Sequence, residues 1–218
     1  MHITLPFAIA ALMVILVILP VIGYISIRPR MLRWGTTPTE ASHVMAGDEL
    51  ISNTILVSTR AINIDVGPEK VWPWLAQMGQ GRGGFYSYDW LENLAGMNIH
   101  NSDQIIPELQ NIKPGDLIPF WRGAGVNVAV AEPPHLLVLA GTINKPKGDA
   151  AGFEEVGGTW VFALEEITTE VTRMIVRSRV AKFQPVWLSA FLMFLLEPMH
   201  FIMERKMLLC IKEQAEKE

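Results

Sequence analysis

The sequence predicts an α+β domain, an antiparallel sheet with a long C-terminal helix, preceded by one N-terminal transmembrane helix. Three observations support this fold class. The chain begins with a long charge-free stretch, residues 60–96 read as strand, helix, loop and helix, and residues 116–183 hold strand-like runs separated by turn residues. Short connections between successive strands favour an antiparallel meander.

The composition favours contact with lipid and argues against binding of nucleic acid. Of 218 residues, 50% are hydrophobic and 18% are charged, and the mean hydropathy is +0.27, against a typical charged fraction of about 25%. Residues 34–218 carry 15 basic and 22 acidic residues, a net charge of −7, which argues against a nucleic-acid partner. The single cysteine, Cys210, cannot form an internal disulfide.

The charge-free stretch from Leu5 to Ile27 is long enough to span a bilayer as a helix. A cleaved secretory signal would place basic residues before the apolar stretch, whereas Arg28, Arg30 and Arg33 follow it. The positive-inside bias then predicts a single-pass protein of the inner (cytoplasmic) membrane, with the N-terminus outside and the domain in the cytoplasm. The alternative is a buried core helix, although core helices of this length usually carry a polar face.

These features divide the chain into a transmembrane anchor over 1–30, a linker over 31–49 and a folded domain over 50–218. The linker has no hydrophobic periodicity, and one short helical turn is expected near Thr39 to Met45.

The domain begins with period-two alternation from Ile55 to Val66, which predicts a long strand ended by Gly67-Pro68. A helix starting near Glu69 and stopping at Gly79 should follow. A second short helix is predicted up to Gly96, with Ser87 as its N-cap.

Five further strands are predicted, and a helical pattern follows them from Pro185 to Glu218. The strands are expected at Asp116–Arg122, Val126–Ala131, Leu136–Ile143, Thr159–Ile167 and Val171–Phe183. The separators are rich in Gly, Pro and Thr, and the longest is the loop Asn144 to Gly158.

This order of elements resembles the START-like helix-grip fold, also called SRPBCC, the superfamily of steroid-transfer, birch-pollen-allergen and polyketide cyclase/dehydrase proteins. INIDVGPEKVWPWLAQMG is similar to the opening strand-helix signature of that superfamily, and GQGRGGFYSYDWLENLAG resembles a bacterial branch often attached to a membrane span. The resemblance covers roughly residues 50–215. It implies a curved sheet gripping the C-terminal helix around an apolar cavity, with the two short helices closing one end.

In the last strand, three arginines share one face, which we assign to solvent. They are Arg173, Arg177 and Arg179. The alternative places them inside the cavity, where an arginine would orient a carboxylate or phosphate head group.

Residues 79–84 contain the literal pattern G-x-G-x-x-G of dinucleotide-binding proteins. That motif requires a strand before it and a helix after it in a parallel unit, and here a helix precedes it. Two interpretations stay open: a loop that delivers Phe85 and Tyr86 to the cavity rim, or a close turn between two helices.

Candidate chemistry is sparse. Asp89 and Glu92 lie three apart on one helical face and could do acid–base work if one were buried, but acids also favour a helix N-terminus for electrostatic reasons. His100 and Asp103 are more typical of local hydrogen bonding than of a catalytic pair. The five histidines show no ligand spacing, so no metal or cofactor is expected.

Residues 186–196 are apolar on every side apart from Ser189, too short to span a membrane. Contact with lipid and burial under the sheet both remain open, and Glu197-Pro198 should break or kink the helix. Residues 5–27 are the primary membrane contact, with 186–196 as a second candidate.

Three functions are compatible with these patterns. The first is a membrane-anchored carrier for a hydrophobic small molecule such as a lipid, an isoprenoid quinone or a polyketide. Its expected pocket residues are Met78, Phe85, Tyr86, Trp90, Trp121, Trp160 and Phe191. The second is a cyclase/dehydrase-type enzyme using Tyr86, Asp89 or His100, and the third is a membrane-bound interaction or regulatory module with a filled core.

Overall fold

The computed structural model describes residues 9, 12–121, 124–143, 155–182 and 184–217. This part of the chain forms five α-helices and six strands. They are α1 (Leu19–Leu32), α2 (Pro38–Ser42), β1 (Thr54–Ile64), α3 (Pro68–Ala76), α4 (Asp89–Leu94), β2 (Leu117–Trp121), β3 (Ala124–Glu132), β4 (Leu136–Ile143), β5 (Glu155–Thr168), β6 (Val171–Ala181) and α5 (Val186–Ala215). Single 3₁₀ turns occur at Asp48–Leu50 and Pro107–Leu109.

The strands form one six-stranded sheet in the order β1-β6-β5-β4-β3-β2, with every neighbouring pair antiparallel. Strands β2 to β6 are a meander, and β1 closes on β6 at the far edge. In the pairing of β1 with β6, Arg60 lies opposite Val176 and Thr59 lies opposite Arg177. Because directly opposite residues share a face, Arg60 and Val176 lie on one face of the sheet and Thr59 and Arg177 on the other. We call the face of Arg60, on which α5 packs, the inner face, and the face of Arg177 the outer face.

The inner face packs against the second half of α5. Met207, Leu208, Ile211 and Ala215 are no more than 1% exposed and join the core formed by α3 and the strands. Burial of Met207, Leu208 and Ile211 contributes about 1.5–3 kcal/mol for each side chain. A curved antiparallel sheet gripping a long C-terminal helix confirms the predicted fold class.

The outer face is not open to solvent, so our assignment of the arginine face is wrong. The Arg177 side chain is 3% exposed and donates to Thr59 Oγ1 at 2.9 Å and to Asp48 Oδ2 at 2.7 Å. Arg173 pairs with Glu40 at 2.8 Å, and Arg179 pairs with Asp48 at 3.2 Å. Their acidic partners come from the chain before β1, which carried no periodicity to reveal a packed segment.

The segment predicted as a linker therefore packs on the sheet. A capping box joins Thr37 and Glu40 at the start of α2. The backbone amide of Ala61 donates to the carbonyl of Trp34 at 3.1 Å. Gly47, at φ +87°, lies so close to Val138 on the outer face that a Cβ atom there would come within 2.8 Å of it.

Helix α1 extends past the predicted end at Ile27 and stops at Leu32. A π-helical segment, Val14–Ile18, precedes it. Pro20 lacks the amide hydrogen that would bond four residues back, which explains an irregular turn at this point. Of the predicted span, residues 5–8, 10 and 11 lie outside the described part of the chain.

Two local predictions are wrong. The N-cap of α4 is Tyr88 rather than Ser87, whose hydroxyl instead donates to the carbonyl of Met203 at 3.1 Å and ties α4 to α5. Pro198 does not break the C-terminal helix, since α5 continues from Val186 to Ala215, while the alternative of a kink there stays a prediction. Before the proline α5 contacts α1 through Phe194, and after it the helix packs in the core through Met207 and Leu208.

The arginine face yields a stability prediction. Replacing Arg177 with alanine should lower the free energy of unfolding by about 3 kcal/mol, because the ion pair with Asp48 would be broken and the carbonyls of Glu40 and His43 would lose their donor. The matched control is Lys217→Ala, whose ion pair with Glu213 is more than half exposed and should change stability by less than about 0.5 kcal/mol. Thermal unfolding in mild detergent measures both. Equal melting temperatures for the two variants would contradict the role given to Arg177.

Candidate functional site

A cavity of about 430 Å³ lies between the inner face of the sheet, α5 and α4. The sheet contributes Phe120, Val126, Leu139, Trp160 and Val180, the helix α5 contributes Leu196, Met199, His200, Met203 and Met207, and Phe85, Glu92 and Met97 close a further side. Most of this lining is apolar, which suits an apolar ligand.

Two facing glycines help to create this space. Gly141 on β4 pairs with Gly158 on β5, and both border the cavity. A Cβ atom built on Gly141 would meet only Val126 at 3.4 Å and Gly158 at 3.9 Å, both ordinary contact distances. The floor of the cavity is therefore open because two side chains are missing there, rather than because the backbone is strained.

Aromatic rings line one wall. The centroid of Phe85 lies 5.0 Å from that of Phe120 and 6.4 Å from that of Trp160, which in turn lies 4.8 Å from Phe162. Tilted rings at these distances attract one another beyond simple burial. The wall is a rigid apolar surface that runs across strands β2 and β5.

A buried polar cluster lies at the side of the cavity formed by α5. Glu204 receives hydrogen bonds at Oε1 from Trp160 Nε1 at 2.8 Å and from Ser178 Oγ at 2.9 Å, while Arg60 bonds to Oε2. Burial opposes the charge on Glu204, but the charge of Arg60 and the hydrogen bonds from Arg60 and Ser178 favour it, and the pKa of this carboxyl lies below its usual range.

Arg60 connects this cluster to the end of the N-terminal helix. Its Nε donates to the carbonyl of Met31 at 2.9 Å, and its guanidinium lies 5.3 Å from the ring centroid of Phe201. His200 borders the cavity with its side chain 36% exposed, and burial lowers its pKa, which favours the neutral imidazole.

Glu92 is the second acidic side chain at the cavity, and its surroundings differ from those of Glu204. It is 3% exposed, and within the described residues its Oε2 atom has no hydrogen-bond partner. Burial, and after it the charge of Asp89, raises the pKa of Glu92 to about 7. Asp89 itself is exposed, so the two carboxyls of the predicted pair have different environments.

The glycine-rich loop closes on itself as a tight turn. Gly79 and Gly84 exchange backbone hydrogen bonds of 2.9 and 3.1 Å. Arg82 donates to the carbonyls of Ala76 and Met78 at the end of α3, both at 2.9 Å. Since the amides of the loop are largely bonded to protein carbonyls, they cannot cradle a phosphate as a dinucleotide-binding loop does.

This turn delivers Phe85 to the cavity but directs Tyr86 into the core. Tyr86 adopts φ +57°, its amide donates to Asn101 Oδ1 at 2.7 Å, and its hydroxyl accepts from Gln77 Nε2 at 2.8 Å. Burial raises its pKa well above the usual range. Tyr86 is fully buried and lies outside the cavity lining, so it holds the turn in place and is no proton donor to a bound molecule.

Of the seven side chains expected at the pocket, the structure brings Phe85 and Trp160 to the cavity. Met78 and Tyr86 lie in the core behind it, because the residues after α3 turn toward the sheet. Trp90 and Phe191 are 65% and 54% exposed, since each occupies the outward face of its helix. The side chain of Trp121 lies outside the described part of the structure.

The three residues expected to act in an enzyme do not come together at the cavity. Tyr86 is in the core, while Asp89 and His100 are exposed and do not border the cavity. In the part of the chain that the structure describes, no three His, Cys, Asp or Glu side chains are grouped as metal ligands.

On α5 the sequence predicted Phe191 as a pocket residue and missed the side chains of this helix that do border the cavity. Met199, Met203 and Met207 follow one another at a spacing of four and line the cavity together with His200. That spacing places them on one helical face and could have been read from the sequence. Arg60 and Glu204 gave no such signal, because a lone charged residue in a strand or helix is usually exposed.

No protein-family model matches the chain, and no curated protein matches it. Solved structures similar to it include a Polyketide_cyc-like protein from Corynebacterium glutamicum, with 12% identity and a TM-score of 0.39 over 73% of this chain and 91% of that one. A protein from Arthrobacter aurescens has 15% identity and a TM-score of 0.40, over 82% of this chain and 93% of that one. An HSP90 activator from Plasmodium falciparum has 12% identity and a TM-score of 0.34, over 67% of this chain and 93% of that one.

Likenesses this weak carry no argument about function, and the fold is defined by features of the chain itself. The meander β2 to β6, the return of β1 to the edge beside β6 and the helix α5 across the inner face are all present. The chain has a helix-grip fold.

Proposed function

We propose that this protein binds a hydrophobic small molecule in the cavity beneath α5 and does so at a membrane. The single observation that carries the proposal is the apolar cavity of about 430 Å³. Ligand pockets generally begin at about 300 Å³, so the cavity argues against an interaction module with a filled core. A lipid, an isoprenoid quinone or a polyketide-like molecule has the required apolar surface.

Two helices support a place at the membrane. Val14–Leu32 and Val186–Ala215 are long and apolar enough to cross one. The core helix of a soluble protein passes the same test but is mostly buried, whereas only 11% of the apolar window of α5 is buried. Large side chains are exposed along its first half, including Trp187 at 70% and Leu195 at 52%. Lipid is the solvent that favours such a surface.

The two helices also contact each other, so the anchor is joined to the cavity wall. Tyr24 on α1 meets Phe194 on α5 edge to face at a centroid distance of 4.6 Å. Arg28 pairs with Glu197 at 2.9 Å, and Glu197 is 1% exposed. Leu196 and Met199, on the same stretch of α5, border the cavity. A molecule that leaves the lipid beside α1 would therefore reach the cavity along α5.

Filling the cavity at Gly141, which borders it, should weaken ligand binding. Gly141→Leu should weaken binding of the apolar fluorophore N-phenyl-1-naphthylamine about tenfold or more, because the new side chain would occupy the cavity without backbone strain. The control is Thr168→Leu, which adds a leucine at an exposed position at the end of β5 and should bind as the wild type does. Fluorescence titration of the full chain in mild detergent measures the affinity. Unchanged binding in Gly141→Leu would show that the fluorophore binds elsewhere.

The topology prediction concerns the position of the domain. Trypsin should digest the domain in inverted membrane vesicles and leave it intact in right-side-out vesicles, because the cluster of Arg28, Arg30 and Arg33 follows the proposed span. Immunoblotting against a C-terminal tag reads out the result, with detergent-lysed vesicles as the control for access. Digestion in right-side-out vesicles would overturn the proposed orientation.

A further inference from the structure

Glu92 has an unusual position for a carboxyl group. It borders the cavity and is only 3% exposed. Its Oε2 atom has no hydrogen-bond partner within the described residues. A buried polar group without a partner costs free energy in the empty protein. A ligand that supplies the missing partner would recover that cost, so the position itself points to a bound group.

Other polar residues that border the cavity either have hydrogen-bond partners or direct their side chains to the outer face of the sheet. Glu204 is bonded by Arg60, Trp160 and Ser178. The hydroxyl of Ser87 donates to Met203. Thr159 Oγ1 and Arg179 Nε also lack a partner within the described residues, but these two residues are register partners on the outer face, where Arg179 also pairs with Asp48. Glu92 is therefore the polar group best placed to meet a ligand.

We propose that Glu92 recognises the polar end of the ligand, with its protonated carboxyl group donating a hydrogen bond to a carbonyl oxygen of an otherwise apolar molecule. This inference rests on the proposed function and names the ligand class: neutral ketones, esters or quinones. An anionic head group is disfavoured, because the carboxyl of Glu92 offers it no compensating positive charge.

The neutral form of Glu92 follows from its surroundings. Glu92 is buried, and the apolar residues Phe85, Met97 and Met203 border the same cavity, so an ionised carboxylate would be poorly solvated there. On its own helix, the exposed Asp89 adds negative charge that further favours the proton. From α5, Glu204 and His200 border the same cavity, but the charge of Glu204 is compensated by Arg60, and burial favours the neutral form of His200. The carboxyl of Glu92 therefore keeps its proton up to about pH 7.

The experiment compares matched eleven-carbon probes that displace N-phenyl-1-naphthylamine from the full chain in mild detergent. Wild type should bind 2-undecanone more tightly than undecane. From about pH 5.5 to about pH 8.5 its affinity for the ketone should fall, by at most the roughly 30-fold change in the protonated fraction of a group with a pKa near 7, while the affinity for undecane stays constant.

Three variants separate recognition from structure. Glu92→Gln keeps a donor and should bind the ketone with no pH dependence. Glu92→Leu should bind undecane normally and lose the preference for the ketone. Asp89→Asn, at an exposed position, should shift the midpoint of the pH dependence downward without changing affinity at low pH, because a neighbouring negative charge is removed.

Two outcomes would overturn the inference. One is a Glu92→Leu variant that still prefers the ketone over undecane. The other is a wild-type preference for undecylamine that strengthens as the pH rises through 7, which would assign the ionised carboxylate to a cation. Failure of the wild type to bind undecane is a different result, because it would refute the proposed apolar cavity function itself.

Discussion

The ion pair of Arg60 with Glu204 is the contact on which the arrangement of this protein depends. Its two side chains are 0% and 1% exposed. Breaking such a pair by removing one partner typically costs about 3–5 kcal/mol, because the remaining charge is buried alone. Arg60 also binds the carbonyl of Met31, and Glu204 also binds Trp160. One buried pair therefore joins the end of α1, strand β1, helix α5 and the aromatic wall of the cavity.

The position of this pair explains how one helix serves two purposes. After Glu204, α5 packs closely on the sheet through Met207, Leu208 and Ile211. Before it, the same helix borders the cavity and then contacts α1. The cavity thus lies between a fully packed end and an apolar end that the domain leaves exposed. Under the proposed function, the ligand site and the membrane contact are consecutive parts of a single helix.

Much of the fold could be predicted because its physical cause is periodic. Alternation along β1 and β6 and the turn residues between strands predicted the meander, and its bounds match the structure within a few residues. The cover of the outer face could not be predicted, because residues 31–51 bind through ion pairs and backbone contacts that leave no period in the sequence. The same holds for the cavity: Met78 and Phe85 are both apolar residues near one turn, and only the turn geometry separates core from lining.

The central claim is that the cavity holds an apolar molecule in the membrane-bound protein. It is tested most directly by purifying the full chain from membranes in mild detergent and measuring its mass under native conditions before and after organic extraction. We predict an extractable apolar molecule with a carbonyl oxygen, present in wild type and depleted from a variant whose cavity is filled at Gly141. A folded wild-type protein that carries no extractable molecule, or equal amounts of it in both proteins, would contradict the account.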